Sequence, residues 1–257
     1  MTDQPELVHL DIAADAAGVA IATITLDSQH NRNAISRVLQ RQLMAHLDTA
    51  DLDESVRAIV IRAEGPVFCS GADMAEAASG NMEKGTRRLV ALQRKIVTLA
   101  KPVVVRVHGP VRAGGLGIVA ACDVAISADT VSYAFTEVRL GLAPAVISLT
   151  VLPRLTDRSA AHYFLTADSF DAAEAERIGL VTRSVPVDEL DPAVDATVES
   201  WRQASPQGLR ETKALLNRRL VHSIDEFGEL VVRQSARLFS SDEAIEAMSA
   251  FLDKRKP

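Results

Sequence analysis

The sequence predicts a layered α/β domain followed by a helical C-terminal region. In the first half of the chain, short β-branched segments alternate with helical apolar patterns, as in strands that are followed by helices. After residue 187 the pattern changes to four successive helical segments with Asp or Pro at their starts, at residues 188–204, 206–221, 225–239 and 242–254. We therefore expect an α/β core over residues 1–195 and a helical C-terminal region over residues 196–257.

The core elements follow from local patterns. Two β-rich segments with a polar turn between them, at residues 7–12 and 19–26, predict a hairpin. Asn33 or Ser36 can cap the helix that follows and continues to residue 52. Residues 75–87 are polar and alanine-rich, which predicts a mobile surface segment. Further strands are expected at 57–63, 103–107, 123–127 and 180–185, and further helices at 89–99 and 171–178.

Composition limits the class of protein. Of 257 residues, 47% are hydrophobic, which is enough for a sizeable core. Acidic residues exceed basic ones by 34 to 28, which argues against nucleic acid or an anionic membrane as the main partner. The N-terminus lacks the pattern of a secretory signal, and the longest charge-free run, residues 140–153, is too short to span a bilayer. We expect a cytoplasmic protein.

The sequence offers no signature of a cofactor or metal. The two cysteines, Cys69 and Cys122, lack metal-ligand spacing and have no neighbouring histidines, so we expect two small buried side chains. No flavin or dinucleotide-binding glycine pattern is present. His108 stands beside a glycine-rich turn, but a histidine at a strand end is more often structural than catalytic.

A glycine-rich turn is the most informative stretch of the chain. A predicted buried strand at residues 103–107 leads through His108 to the pair Gly114 and Gly115, and an apolar helix follows directly. The first amides of a helix have no partner within it, and the helix dipole favours negative charge there. The turn therefore predicts an anion site made of backbone, although glycines here could also serve only close packing.

A second loop and one carboxylate extend this interpretation. Residues 67–74 are mostly small, so their backbone can approach a ligand, and Asp73 can cap the next helix. Glu137 is an ionisable residue within an otherwise apolar stretch. A carboxylate beside a backbone anion site predicts acid–base chemistry on a carbonyl compound whose oxygen becomes negative. Alternatively, Glu137 only pairs with Arg139 on the same face of an extended chain.

Five segments together resemble one family. FCSGADM (68–74), KPVVVRVHGPVRAGGLGIVAACDVAI (101–126), TEVRLGL (136–142), FDAAEAERIGLVTRSVP (170–186) and AMSAFLDKRKP (247–257) resemble the enoyl-CoA hydratase/isomerase, or crotonase, family in order and spacing. The resemblance implies a spiral of ββα units with a helical C-terminal trimerisation region. It also implies an acyl-CoA thioester as substrate, with coenzyme A as part of that substrate and no separate cofactor, and a homotrimer or dimer of trimers.

The resemblance also assigns site residues. It places an oxyanion hole at the backbone N–H groups of Ala72 and Gly114, and the catalytic carboxylate at Glu137. It places the remaining substrate contacts at Arg32, Ala34, Ser70, Asp73, Met74, Gly115, Gly117, Thr136, Phe251 and Lys254. Phe251 and Lys254 would complete the coenzyme A site, in this subunit or a neighbouring one.

One departure from the family pattern bears on the reaction. Hydratases of the family usually carry two glutamates, and the first falls here on Gly117, which has no side chain. The leading hypothesis is hydration of a 2-enoyl-CoA by a single glutamate, in a branch that resembles bacterial methylglutaconyl-CoA hydratases. Arg112 and Arg139 would then be candidates to bind a second carboxylate. The alternatives are a double-bond isomerase or other acyl-CoA enolate chemistry, including thioester hydrolysis, and a non-catalytic acyl-CoA binder.

Overall fold

The computed structural model describes residues 5–78 and 82–253, and its fold is mixed α/β. The strands within these residues are β1 (Val8–Ala14), β2 (Ala20–Leu26), β3 (Val56–Ala63), β4 (Val103–Val107), β5 (Val111–Arg112), β6 (Val124–Ala128), β7 (Ser132–Ala134), β8 (Phe170–Asp171) and β9 (Arg183–Val185). The helices are α1 (Arg37–Leu52), α2 (Met74–Ala78), α3 (Met82–Thr98), α4 (Gly114–Ala121), α5 (Ala145–Val151), α6 (Asp157–Thr166), α7 (Ala172–Arg177), α8 (Leu190–Arg202), α9 (Pro206–Leu216), α10 (Arg218–Phe239) and α11 (Asp242–Asp253).

The large sheet has the strand order β1-β2-β3-β4-β6-β9. Strands β1 and β2 form the expected antiparallel hairpin, and each later pair in the sheet is parallel. The valines at 103, 104 and 105 are fully buried, as expected for a strand that is covered on both faces. Because parallel strands end at the same edge, the loops that follow β2, β3 and β4 meet there.

A small second sheet lies next to that edge. Its order is β5-β7-β8, with β5 parallel to β7 and β7 antiparallel to β8. Tyr133 of β7 is fully buried and donates a hydrogen bond of 2.7 Å to the Ser127 hydroxyl of β6. This contact ties the small sheet to the large one. The three strands are only two or three residues long, too short for an alternating pattern to reveal them in the sequence.

Local sequence signals set several helix ends. The Ser36 hydroxyl accepts a hydrogen bond from the Leu39 N–H and caps α1, whereas Asn33, with φ of 54°, lies outside the helix. Asp73 caps α2 through its Oδ1 atom, which accepts from Ala75 and Glu76. Helix α7 ends before Gly179, whose φ is +87°. Each of these caps except Asn33 agrees with the sequence-based expectation.

Two helical regions differ from the expectation. Helix α3 begins at Met82, so most of the segment expected to be a mobile surface stretch lies in α2 and α3. Helix α5 has the sequence AVISLTV and is buried on nearly all sides. A helix without a polar face shows no helical periodicity, which explains why this one was not predicted.

The four C-terminal helices pack on the core of the same chain. Helix α8 lies against β3, β4 and β6, and the predicted boundary between residues 195 and 196 falls within it. Helix α10 packs along α3 and α5 and is linked to α3 by the ion pairs Arg87–Glu229 and Arg94–Asp225. Among the described helices, none combines the length and apolar composition needed to cross a bilayer.

The buried, charged side chain of Lys213 links α9 to the core. Its side chain is 4% exposed, and its Nζ atom donates to the carbonyl oxygens of Ile96 and Lys101, each at 2.9 Å. The same Nζ lies 2.8 Å from Oδ2 of Asp123, whose other oxygen accepts from Asn217. Removing one partner from such a pair leaves the other charge buried without compensation.

We predict that Lys213→Met lowers the free energy of unfolding by about 3–5 kcal/mol, because the Asp123 carboxylate loses its buried counterion and two carbonyl oxygens lose their donor. Urea denaturation followed by circular dichroism measures this change. Arg210→Met serves as the control, because Arg210 is exposed on the same helix and, within the described structure, pairs only with its neighbour Glu211. A loss below about 1 kcal/mol in Lys213→Met would contradict the assigned role of the buried pair.

Candidate active site

A cavity of about 1480 Å³ lies where the loops after β2, β3 and β4 meet. Helices α3, α5, α10 and α11 supply its other walls. Most of its lining is apolar, with a few polar groups between the apolar side chains. A concave, largely apolar site with few polar groups is the usual form of a small-molecule site.

Backbone contacts bring two of the loops together on one wall of this cavity. The Cys69 N–H donates to the Pro110 carbonyl at 3.3 Å, and the Arg112 N–H donates to the Cys69 carbonyl at 2.9 Å. A Cβ atom placed on Gly71 would lie 3.0 Å from the Ala113 Cβ, so the two loops are in contact. Ala72 and Gly114, which follow these contacts, both line the cavity.

The amides of Ala72 and Gly114 are available to a ligand. Among the described residues, the Ala72 N–H donates to no acceptor, and the Gly114 N–H donates to none outside α4. Gly114 is the first residue of α4, where helix amides have no partner within the helix. Ala113, just before it, has a φ of 47°, a backbone conformation that residues other than glycine rarely adopt.

The two glycines of the turn have different surroundings. Gly114 lines the cavity. Gly115 does not, because it packs under the neighbouring loop, where an added Cβ would lie 2.8 Å from the Cys69 Cβ. Cys69 is itself fully buried, and this burial raises the pKa of its thiol to about 12. The structure therefore gives close packing to Gly115 and the cavity wall to Gly114.

Glu137 brings a shielded carboxyl group to this cavity. It begins a 3-10 turn, Glu137–Leu140, that follows β7. Its Oε2 atom is shielded from solvent and has no hydrogen-bond partner among the described residues. Burial raises the pKa of this carboxyl group to about 7, although a hydrogen bond from its own backbone N–H acts in the opposite direction.

The alternative interpretation of Glu137 as a partner of Arg139 is wrong. The two residues were expected to share a face of an extended chain, but the chain forms a 3-10 turn here. Arg139 is exposed, and its guanidinium lies 3.9 Å from Asp168 instead. No counterion therefore explains the position of the Glu137 carboxyl within the described structure.

Gly117 lies beneath the cavity wall and does not line the cavity. A Cβ atom at this position would lie 2.8 Å from Cγ2 of Ile147, whose side chain lines the cavity. Buried contacts fix α5, the helix that carries Ile147. The Thr150 hydroxyl of α5 lies 2.7 Å from Oε1 of Gln93 and 3.1 Å from the Gly117 carbonyl. The position is therefore filled, and a glutamate side chain would have no room there.

Most of the other predicted contacts also reach the cavity. The side chain of Phe251 and the whole of Lys254 lie outside the described residues, but Ala247 and Ala250 of α11 line the cavity of their own chain. The predicted residues that line the cavity are Arg32, Ala34, Ser70, Asp73, Met74 and Thr136.

The loop residues among these contacts are joined by hydrogen bonds. The Ser70 N–H donates to the Arg32 carbonyl at 3.1 Å, and Asn31 donates to the Asp73 carboxylate at 2.9 Å. These bonds hold the loop after β2 against the loop after β3. His108 does not line the cavity, because its Nε2 lies 2.7 Å from the Gly65 carbonyl oxygen.

The cavity is basic, although the whole chain has a formal charge of −6. Acidic residues contribute Asp73, Glu76 and Glu137 to its lining. The basic residues that line it are Arg32, Arg37, Lys84, Arg88, Arg112 and Arg139. An excess of positive charge in an acidic protein favours an anionic ligand at this place.

Sequence reasoning missed several polar residues of the cavity, including three that stand on helices away from any motif. Gln40 of α1, Arg88 of α3 and Ser235 of α10 all line it. Their helices were partly predicted, but helical periodicity indicates only which face is polar and not what that face meets. Ile147 was missed for the same reason that α5 was missed.

A cavity at the edge of a parallel sheet, with two available amides and a shielded carboxyl group, is typical of enzymes that act on carbonyl compounds. Residues 16–257 match the model of the enoyl-CoA hydratase/isomerase family. The chain belongs to this family, and its mixed α/β structure is the crotonase fold.

Individual proteins that are similar to this chain have names from the same family. A crystal structure of an enoyl-CoA hydratase from Mycobacterium avium superposes with a TM-score of 0.88 at 44% identity and covers 99% of both chains. A probable enoyl-CoA hydratase from Mycobacterium bovis is 32% identical over 92% of this chain and 93% of its own. A mitochondrial methylglutaconyl-CoA hydratase from Mus musculus is 27% identical over 92% of this chain and 78% of its own.

We predict that Glu137→Gln stabilises the protein at pH 8. In the unfolded chain the carboxyl ionises near 4.5 and in the folded protein near 7, so the native state loses stability as the pH rises through that window. The glutamine variant avoids this loss and should be more stable by on the order of 2 kcal/mol at pH 8, with no difference at pH 4. Urea denaturation at both pH values measures the effect.

The control is Glu54→Gln, which removes an exposed carboxylate. Equal stabilities of wild type and Glu137→Gln at pH 8 would show that the carboxyl of Glu137 is well solvated.

Proposed function

We propose that the protein adds water to the double bond of a 2-enoyl-CoA thioester. The observation that carries the proposal is the shielded Glu137 carboxyl in the same cavity as the available amides of Ala72 and Gly114. The hydratase names of the similar proteins from Mycobacterium avium and Mycobacterium bovis support the same reaction.

In this proposal the two amides act on the thioester oxygen. As the hydroxyl adds to C3, the electron pair of the C2–C3 bond moves toward C1, and the thioester oxygen becomes an enolate oxygen. Two N–H donors at that oxygen stabilise the charge as it develops, and one such donor typically contributes about 3–4 kcal/mol. The same two hydrogen bonds contribute less to the binding of the substrate than to the transition state, because the ground-state carbonyl oxygen carries less charge.

Glu137 moves the proton. Its carboxylate removes a proton from water as the water oxygen bonds to C3, and the resulting acid returns a proton to C2 when the enolate collapses. The product is a 3-hydroxyacyl-CoA, and the carboxylate is regenerated. A pKa of about 7 suits both steps, because the group is neither a very weak base nor a very weak acid near neutral pH.

Two basic residues of the cavity, Arg32 and Arg37, suit the phosphate groups of coenzyme A. Arg32 and Arg37 are exposed at the loop after β2 and at the start of α1, where a nucleotide can reach them. Arginine binds phosphate oxygens in a bidentate manner. The thioester end of the substrate would then lie deeper, at Glu137.

A double-bond isomerase is the second candidate, and Gly117 favours it. Ile147 fills the place of a second carboxylate, so a single group must carry out every proton transfer. Moving a proton from C2 to C4 or back through one carboxylate requires no second acid and no ordered water. The hydratase is preferred because of the names of the similar proteins.

The C-terminal helices support the further proposal of a homotrimer or dimer of trimers. Several large apolar side chains on α9 and α10 remain exposed in the single chain, namely Leu215, Leu216, Phe227 and Leu230. Apolar side chains that are grouped on neighbouring helices favour burial in a subunit interface.

The experiment that tests the proposed function is the variant Glu137→Gln, assayed with crotonyl-CoA. Loss of the proton carrier should reduce kcat by at least about 10³-fold. Titration calorimetry with butyryl-CoA should give a Kd within threefold of that of the wild type, because the amides and basic residues remain. Glu54→Gln is the matched control for removal of one carboxylate, and a near-normal kcat in Glu137→Gln would exclude this residue from the mechanism.

The same enzyme preparation separates the two candidate reactions. Hydration predicts turnover of crotonyl-CoA to the 3-hydroxyacyl product. Isomerisation predicts turnover of a 3-enoyl-CoA to the 2-enoyl isomer, with crotonyl-CoA left unhydrated.

A further inference from the structure

Arg88 places a charged group at the cavity wall, and no described residue pairs with it. It stands on α3, its side chain is partly buried, and it lines the cavity. Its Nε atom is shielded from solvent and unpaired. Among the described residues, Arg88 takes part in no hydrogen bond or ion pair. Only the Nε atom is shielded, so a ligand in the cavity can supply an acceptor to the Nη donors of this half-buried side chain.

The other basic residues of the cavity differ from Arg88. Arg112 is already held by hydrogen bonds to the Ser132 carbonyl and hydroxyl. Arg139 is exposed and lies near Asp168, and Arg32, Arg37 and Lys84 are also exposed. The two arginines that the sequence suggested for a second carboxylate are therefore less suitable than Arg88, which combines partial burial with free donors.

Helix α3 carries Arg88 next to Leu89, and both residues line the cavity. Leu89, the next residue, is the neighbour of the proposed oxyanion site, because a Cβ atom on Gly114 would lie 3.5 Å from the Leu89 Cδ2. The Arg88 side chain runs back along its own helix, since its Nη2 lies 3.8 Å from the Cβ position of Gly85. An acyl chain that ran from the thioester toward the start of α3 would pass Leu89 and approach the guanidinium.

Gln40 adds a second unpaired polar atom to the same cavity. The residue is 5% exposed, and although its Nε2 donates to the Ile35 carbonyl, its Oε1 has no partner. That oxygen is a shielded acceptor, so it does not bind a carboxylate, whereas a plain hydrocarbon acyl chain would leave the Arg88 donors without an acceptor. A site with unpaired polar groups discriminates against ligands that lack the matching group.

We propose that the acyl group of the substrate carries a carboxylate at the end remote from the thioester, and that Arg88 binds this carboxylate. The inference rests on the proposed function and specifies its substrate class. Arg88 is then a residue that determines specificity, while Glu137 and the two amides carry out the chemistry. A guanidinium offers two parallel N–H donors to a carboxylate, which fixes the orientation of the acyl chain as well as its affinity.

The test compares two enoyl-CoA substrates of equal chain length, one with a terminal carboxylate and one with a terminal methyl group. The wild type should show a kcat/KM at least tenfold higher for the carboxylate substrate. Arg88→Met, which keeps the length and apolar part of the side chain, should lower kcat/KM for the carboxylate substrate about 10- to 100-fold. It should leave the methyl substrate within about twofold of the wild-type value.

The control is Arg94→Met, which removes the same charge from the same helix. Arg94 pairs with Asp225 of α10 and does not line the cavity, so both substrates should be unaffected. Circular dichroism establishes that both variants are folded.

Two results would overturn the inference. If Arg88→Met lowers kcat/KM equally for both substrates and weakens the binding of free coenzyme A, Arg88 binds the coenzyme. If the wild type prefers the methyl substrate and Arg88→Met changes neither value, no carboxylate is recognised. Either result leaves the proposed hydration intact, whereas failure of the proposed function would appear as absence of turnover with every enoyl-CoA.

Discussion

The site depends on backbone hydrogen bonds between two loops. Cys69 both donates to the Pro110 carbonyl and accepts from the Arg112 N–H, which joins the loop after β3 to the short strand β5. Ala72 and Gly114 follow these bonds by a few residues and so lie on the same wall. Because the bonds use main-chain atoms, side-chain substitution leaves them in place as long as the packing tolerates it. Gly115 is a position where the packing does not tolerate a side chain, because this residue packs tightly on Cys69.

Several polar groups around this wall lower the stability of the fold and are placed where a ligand would bind. The carboxyl of Glu137 is shielded from water, and burial raises its pKa to about 7. Arg88 and Gln40, which line the cavity, also have unpaired polar atoms that are shielded from solvent. Each group is unfavourable for folding, and apolar packing in the sheet and helices offsets the cost. By contrast, the buried charge of Lys213 is fully paired, and it serves only to hold α9 on the core.

Much of the site could be predicted because its parts lie in short continuous stretches. The glycine turn, the loop at residues 67–74 and Glu137 each carry a local signal, and the parallel sheet brings two of the loops to one edge. The sequence could not show that Ile147 occupies the space above Gly117, since that contact joins two helices distant in the chain. Arg88 was hidden for the same reason, because a polar helix position gives no indication of what it faces.

The central claim is that the amides of Ala72 and Gly114 hold the thioester oxygen while the Glu137 carboxyl reaches the acyl carbons. The most direct measurement is a crystal structure of the complex with a saturated acyl-CoA. We predict that the thioester oxygen lies about 2.7–3.1 Å from both amide nitrogens, with the carboxyl of Glu137 facing C2 and C3. An oxygen that contacts neither amide, or a carboxyl turned away from the acyl chain, would contradict the account.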